Sequence, residues 1–169
     1  MLSSRSEIIV RSAKTADASR LAQVFKDAWQ HTYTGIIPHE ALQNILQRRD
    51  ATWWRAQIRT GEPIVVLEVS GKVGGYATAG LARSRGAFQG EIYELYLTPS
   101  FQGLGLGEYL FEACRYRLDQ RRLKGLIVWA LTENSRAIEF YERRGGRAVA
   151  RVQERFGKAK LEKIALGWK

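Results

Sequence analysis

The spacing of apolar residues changes several times along this 169-residue chain, and each change marks an element. Leu21, Val24, Phe25, Ala28 and Trp29 recur every three to four residues, which is the period of one helical face. Thr15 or Asp17 is placed to cap that helix, and Gly35 and Pro38 end it. Ala41, Leu42, Ile45 and Leu46 repeat the spacing in a shorter helix. Trp53, Trp54 and Ile58 do so in a third, which Asp50 or Thr52 can start. Ahead of them Ile8, Ile9 and Val10 form a short strand. After Gly61-Glu62-Pro63 the pattern turns β-branched: 64–69 and 73–81 read as two strands around a tight Ser70-Gly71-Lys72 turn.

A polar loop at 83–90 leads into the aromatic and β-branched run 91–97. A glycine-rich turn follows, and then Leu106, Leu110, Ala113, Cys114 and Leu118 return to helical spacing up to about residue 122. Residues 126–130 are a short apolar run bounded by Gly125, the pattern of a buried strand. Asn134 is placed to cap a helix over 135–144. Two last strands, near 147–153 and 161–168, are joined through Gly157. Strands interspersed with helices predict a mixed sheet covered on both faces, within one domain spanning 1–169.

The composition, 45% hydrophobic and 26% charged, is that of a water-soluble globular chain, and no apolar run reaches the ~20 residues needed to span a bilayer. Met1 to Glu7 lack an apolar leader core. Cys114 is the sole cysteine, so no intramolecular disulfide can form and a reducing cytoplasm is the expected compartment. Net charge is +10, with basic residues gathered at Arg115, Arg117, Arg121, Arg122 and Lys124 and again over 143–160. That balance suits a nucleic acid, a ribosomal surface or an acidic cofactor, but charge alone speaks to solubility and steering. His31 and His39 are isolated, so no metal site is expected.

The chemistry concentrates at Gln102-Gly103-Leu104-Gly105-Leu106-Gly107, between a strand and a helix N-terminus. Glycines let a backbone approach a ligand closely, and the first turn of a helix offers bare N–H groups and a positive dipole end. Together these make a pyrophosphate cradle. A dinucleotide G-x-G-x-x-G is ruled out because Glu108 stands where its third glycine would be, and no Walker Gly-Lys-Ser/Thr ending exists. The remaining pattern, Q-x-x-G-x-G after Thr98-Pro99, resembles the acetyl-CoA loop of the GCN5-related N-acetyltransferases. Asn134-Ser135-Arg136-Ala137-Ile138-Glu139-Phe140-Tyr141, continuing to Gly145, resembles that family's N-x-x-A-x-x-F-Y-x-x-x-G segment. Trp29, Tyr33, Gly35 and Pro38 match more loosely a pattern of many bacterial members.

The resemblance implies an α/β fold of GNAT type: a central mixed, mostly antiparallel twisted sheet of about six to seven strands with helices on both faces. In it the strands before the loop and after its helix run parallel and splay apart. It further implies acetyl-CoA as co-substrate and no metal. Gln102, Gly103, Leu104, Gly105, Leu106, Gly107 and Glu108 would bind the pyrophosphate. The backbone of Leu95, Tyr96 and Leu97 would pair with the pantetheine arm, and Asn134 would both cap its helix and contact the cofactor. Tyr141 falls where many members place the phenol that serves the leaving sulfur. A phenol with an ordinary pKa near 10 suits a departing thiolate.

For the base that takes the amine proton, Glu91 resembles the placement of the base in the family's histone-modifying branch, and Glu94, three residues nearer the loop, is the rival. A regular strand would turn them to opposite faces, whereas a β-bulge would bring them to one. A water chain to solvent is the third option. Two departures stand out. Trp129 replaces the glutamate that ribosomal-protein N-terminal acetyltransferases carry five residues before the asparagine, and Gly146 replaces a larger residue after Gly145. Tyr33, beside Gly35, is the candidate for lining an acceptor pocket.

The expected activity is therefore acetyl transfer from acetyl-CoA to a primary amine by direct transfer in a ternary complex. A small-molecule acceptor (amine, polyamine or amino acid) comes first, and a protein N-terminus or lysine second. A catalytically silent acyl-CoA sensor is the rival of another class, and a nucleic-acid-binding protein, prompted only by charge, a weaker one. Many relatives pair as homodimers. No membrane partner is expected.

Overall fold

The computed structural model describes residues 5–169; residues 1–4, part of the segment read above for a leader, lie outside the described residues. The strands are β1 (Ile8–Ser12), β2 (Ile64–Val69), β3 (Lys72–Leu81), β4 (Gly90–Leu97), β5 (Leu126–Leu131), β6 (Arg147–Phe156) and β7 (Ala159–Trp168). The α-helices are α1 (Ala18–Tyr33), α2 (His39–Arg48), α3 (Ala51–Arg59), α4 (Gly107–Gln120) and α5 (Ser135–Arg143). The strands form one seven-stranded sheet in the order β1-β2-β3-β4-β5-β7-β6. Only β4 and β5 pair in parallel. This is the mixed, mostly antiparallel sheet expected from the sequence. No helix among the described residues is long and apolar enough to cross a membrane.

Each sheet face carries its own core. On one side Leu21, Val24 and Phe25 of α1 and Trp54 of α3 close over Val66 and Tyr76, all but removed from solvent. On the other, Leu110, Phe111, Cys114 and Leu118 of α4 pack on Leu67, Ile92 and Leu166. Full burial of one such Leu or Phe contributes roughly 1.5–3 kcal/mol. The Cys114 thiol is one of these core groups, and burial pushes its pKa up to about 12.

Local signals explain the turns. Ser70 and Gly71 both take positive φ (49° and 83°), the left-handed pair that a two-residue hairpin between β2 and β3 requires. Asp50 caps α3, accepting the Trp53 N–H at 2.9 Å. The start of α1 is different from the expectation. Thr15–Asp17 form a separate 3-10 turn, and neither side chain caps the helix. The Asp17 carboxylate is already held by Arg11 at 2.8 Å and by the Lys14 N–H at 2.7 Å, and the Arg11 contact first of all lowers its pKa.

Gly146 has a packing reason. A Cβ there would lie 2.6 Å from the Trp168 ring and 3.0 Å from the Tyr141 carbonyl oxygen. The indole has taken the space that a larger residue would fill, anchored by its Nε1–H to the Arg144 carbonyl at 2.8 Å. Gly146→Val is therefore expected to cost about 2–3 kcal/mol by overpacking, read as a fall in Tm of about 5–10 °C by calorimetry.

Candidate active site

Strands β4 and β5 pair only at Gly90–Ile92 with Leu126–Val128. Beyond Ile92 they part, and the β5-facing edge of 93–97 runs along an open gap while β3 holds the other edge. An extended ligand can add there as a strand, since unpaired backbone groups along such an edge seek partners. At the end of the gap Gly103 and Gly105 take φ of 73° and 77°. None of the N–H groups of residues 103–108 donates a hydrogen bond among the described residues, and no side chain caps α4. Gln102 braces this turn: its amide donates to the Leu97 carbonyl at 3.0 Å and accepts from Arg136 at 3.2 Å. Gly107 lets the turn sit against α5, because a Cβ would stand only 3.0 Å from the Phe140 ring. The geometry is that of an anion cradle opening into a slot.

The two candidate glutamates turn out to share a face. Register along β3–β4 shifts between Thr78 and Ala79, so Tyr93 is an extra residue that bulges from β4. Glu91 then opposes Gly80 and Glu94 opposes Thr78, two residues apart on the same partner strand. Their surroundings nevertheless separate them. Glu91 is sealed, 1% exposed, and accepts from the Arg83 backbone N–H at 2.9 Å and the Arg83 guanidinium at 2.7 Å. Glu94 lines a cavity of about 530 Å³ and meets Arg49 there, with Nη1 at 2.7 and 2.9 Å from its two oxygens.

That cavity lies on the α1–α3 side of the sheet and is walled by aromatic rings, among them Trp29, Tyr33, Trp53, Tyr93, Tyr96, Trp129 and Phe156. Tyr33, the candidate for an acceptor pocket, is among its lining residues. The Tyr33 and Tyr96 hydroxyls share a 2.5 Å hydrogen bond. Burial raises the Tyr33 phenol above its ordinary pKa, while its bond to Tyr96 and the nearby Asn134 amide pull the other way. Asn134 also caps α5, accepting the Ala137 N–H at 3.3 Å. Tyr141 approaches from the opposite side. Its ring packs among Phe111, Phe140 and Trp168, and its hydroxyl has no hydrogen bond among the described residues. Burial foremost, then Cys114 and Tyr33, push its phenol well above its ordinary 10.

Two participants were not singled out from the sequence. Arg49 sits at the α2–α3 junction, where an Arg-Arg-Asp run reads as solvated charge; only folding lays its guanidinium over Phe25 (4.7 Å) and Trp53 (4.6 Å). The side chain of Tyr96 was read only for its backbone. Trp129, noted as a missing glutamate, stands in the cavity wall with Lys163 over its ring at 5.0 Å.

Comparison with known proteins agrees with this geometry. The model of the acetyltransferase (GNAT) family matches residues 21–146. An uncharacterized N-acetyltransferase of Bacillus subtilis (strain 168), YuaI, is 30% identical over 162 residues, covering 95% of this chain and 92% of that protein. The L-methionine sulfoximine/L-methionine sulfone acetyltransferase of Salmonella typhimurium is 26% identical over 149 residues, 86% of this chain and 83% of the other. Among solved structures, the PaiA N-acetyltransferase of Thermoplasma acidophilum, in complex with coenzyme A, superposes with a TM-score of 0.74. It does so at 17% identity over 93% of this chain and 98% of that one.

Proposed function

This chain belongs to the acetyltransferase (GNAT) family and is an N-acetyltransferase, and from that premise we propose that it moves the acetyl group of acetyl-CoA to the primary amine of a small molecule, in a ternary complex. One observation carries the reading. A cradle of six N–H groups unpaired among the described residues and an open strand edge meet a 530 Å³ cavity lined by β4 and β5 residues on the other side of the same gap. The residues fit acetyl-CoA: Gly103 to Glu108 would hold the pyrophosphate, the 95–97 edge the pantetheine, and Asn134 the arm between them. A relative named for acetylating L-methionine sulfoximine and L-methionine sulfone supports an acceptor of amino-acid size.

The residues divide the work. Glu94 takes the proton that the ammonium must lose before its nitrogen can attack the thioester carbonyl. As the C–N bond forms and the C–S bond breaks, the Tyr141 phenol hydrogen-bonds the departing sulfur, and the second proton that the nitrogen sheds converts the thiolate to free coenzyme A thiol. Glu91, sealed and bound by Arg83, serves instead to hold the β3–β4 corner that carries the bulge. Gly105→Val would force a β-branched residue into a positive φ and fill the cradle. It is expected to weaken acetyl-CoA binding about 100-fold by calorimetric titration, and the backbone strain of about 1–3 kcal/mol to lower the melting temperature by several degrees.

The test of the whole reading is thiol release from acetyl-CoA across amines, polyamines, amino acids and peptides. Release with small acceptors supports it. Release only with peptides replaces the acceptor class, and acetyl-CoA binding with no release from any acceptor returns the chain to a sensor.

A further inference from the structure

The geometry points to the Arg49–Glu94 pair as the receptor for a zwitterionic α-amino acid, with the guanidinium taking its carboxylate and Glu94 its ammonium. This rests on the transfer reaction proposed above and narrows its acceptor. Arg49 spends only Nη1 on Glu94. Its Nε and Nη2 have no partner among the described residues, yet they are not among the buried orphaned polar atoms, so this edge is open to solvent in a side chain that lines the cavity. A free guanidinium edge is the planar two-donor fork that matches a carboxylate. Each Glu94 oxygen accepts one bond from Arg49, leaving lone pairs for an ammonium on the adjoining carbon.

Three further facts support a zwitterion over other amines. The cavity carries three cationic side chains, Arg49, Arg83 and Lys163, against three carboxylates, Glu62, Glu94 and Glu154. A polyamine finds no acidic excess there, and a neutral dipolar molecule is the matching ligand. Second, the guanidinium is fixed before anything binds, stacked on Phe25 and Trp53, so little side-chain entropy is lost on binding. Third, the same carboxylate that receives the ammonium is the one placed to take its proton. Recognition and deprotonation thus fall on one group.

The experiment compares methionine, leucine and phenylalanine, each with its amide and its decarboxylated amine, as acceptors for the wild type and for Arg49→Gln, Arg49→Lys and Lys163→Met. Expected is a wild-type kcat/KM at least about 10-fold higher for the acids than for their decarboxylated amines. Arg49→Gln should raise KM for the acids about 10–100-fold more than for the amines, in line with a charged hydrogen-bonded contact, while any loss from disturbing Glu94 falls on both. Arg49→Lys should recover part of the preference. Equal turnover of acids and amines by the wild type overturns the inference. So does an equal loss for both in Arg49→Gln, or a carboxylate-selective loss in Lys163→Met that Arg49→Gln lacks. Melting curves accompany each variant, and should Arg49→Gln fail to fold, the wild-type ratio and Arg49→Lys decide. Bound acetyl-CoA with no thiol release for any compound sinks the transfer reading itself, whereas turnover without carboxylate preference sinks only this inference.

Discussion

Tyr141→Phe is expected to lower kcat about 100- to 1,000-fold, or about 3–4 kcal/mol of barrier, with KM for both substrates changed little. The phenol is set for this by its surroundings. Its ring is fixed among Phe111, Phe140 and Trp168, which phenylalanine would preserve, and its hydroxyl is uncommitted among the described residues. Removing that oxygen costs packing almost nothing and leaves the departing sulfur without its donor. Steady-state thiol release separates the two effects: a kcat loss at constant KM marks an interaction made in the transition state. The pH profile adds a sign. Because burial raises this phenol above its ordinary value, it stays protonated through neutral and mildly alkaline pH. No descending limb from Tyr141 is expected below about pH 10. A wild-type rate that falls between about pH 8 and 9 and loses that limb in Tyr141→Phe would contradict the assignment.

Glu94→Gln should be nearly as damaging, and in a pH-dependent way. A carboxylate base is needed while the acceptor is an ammonium, so kcat/KM at pH 7 is expected to fall about 100-fold. The deficit should narrow as pH approaches the acceptor's own pKa, where the amine is already free. A deficit equally deep at every pH would make Glu94 a binding group only. The same substitution leaves Arg49 with no carboxylate in a half-buried site, where the pair's side chains are 25% and 15% exposed. A stability loss of about 1–2 kcal/mol is expected, less than for a sealed ion pair because solvent reaches this one. Thermal melting at matched pH reads it. Glu91→Gln offers the contrast: Glu91 itself is sealed and lies outside the cavity lining, so weakening its bonds to Arg83 is expected mainly to lower the melting temperature.

Much of the element order was legible because it is written in local periodicity. The helical faces of Leu21 to Ala28 and Leu110 to Leu118, the strands 64–69 and 126–131, and the cap at Asn134 all follow from residues a few positions apart. The α1 cap was misread because Asp17 is claimed by Arg11, six residues earlier on β1, and by the Lys14 N–H, so that its carboxylate closes the 3-10 turn instead of capping the helix. The glycine turn was legible for the same reason as the helices: positive φ at Gly103 and Gly105 is a property of the residues themselves. Gly146 read as an anomaly until Trp168, 22 residues later, filled the space beside it.

What the amino-acid sequence determined by itself is therefore the family, the order of helices and strands, and the glycine turn ahead of α4, since each depends on short-range backbone preference and side-chain spacing. Tertiary structure decided the relation between Glu91 and Glu94, because a single bulged residue at Tyr93 reverses strand parity and leaves no mark in composition. It also decided that Glu94 meets Arg49, 45 residues away, inside an aromatic cavity, while Glu91 is closed off by Arg83. Such pairings form only when distant elements pack, and charge in a loop looks the same before folding whether it ends in water or against a substrate.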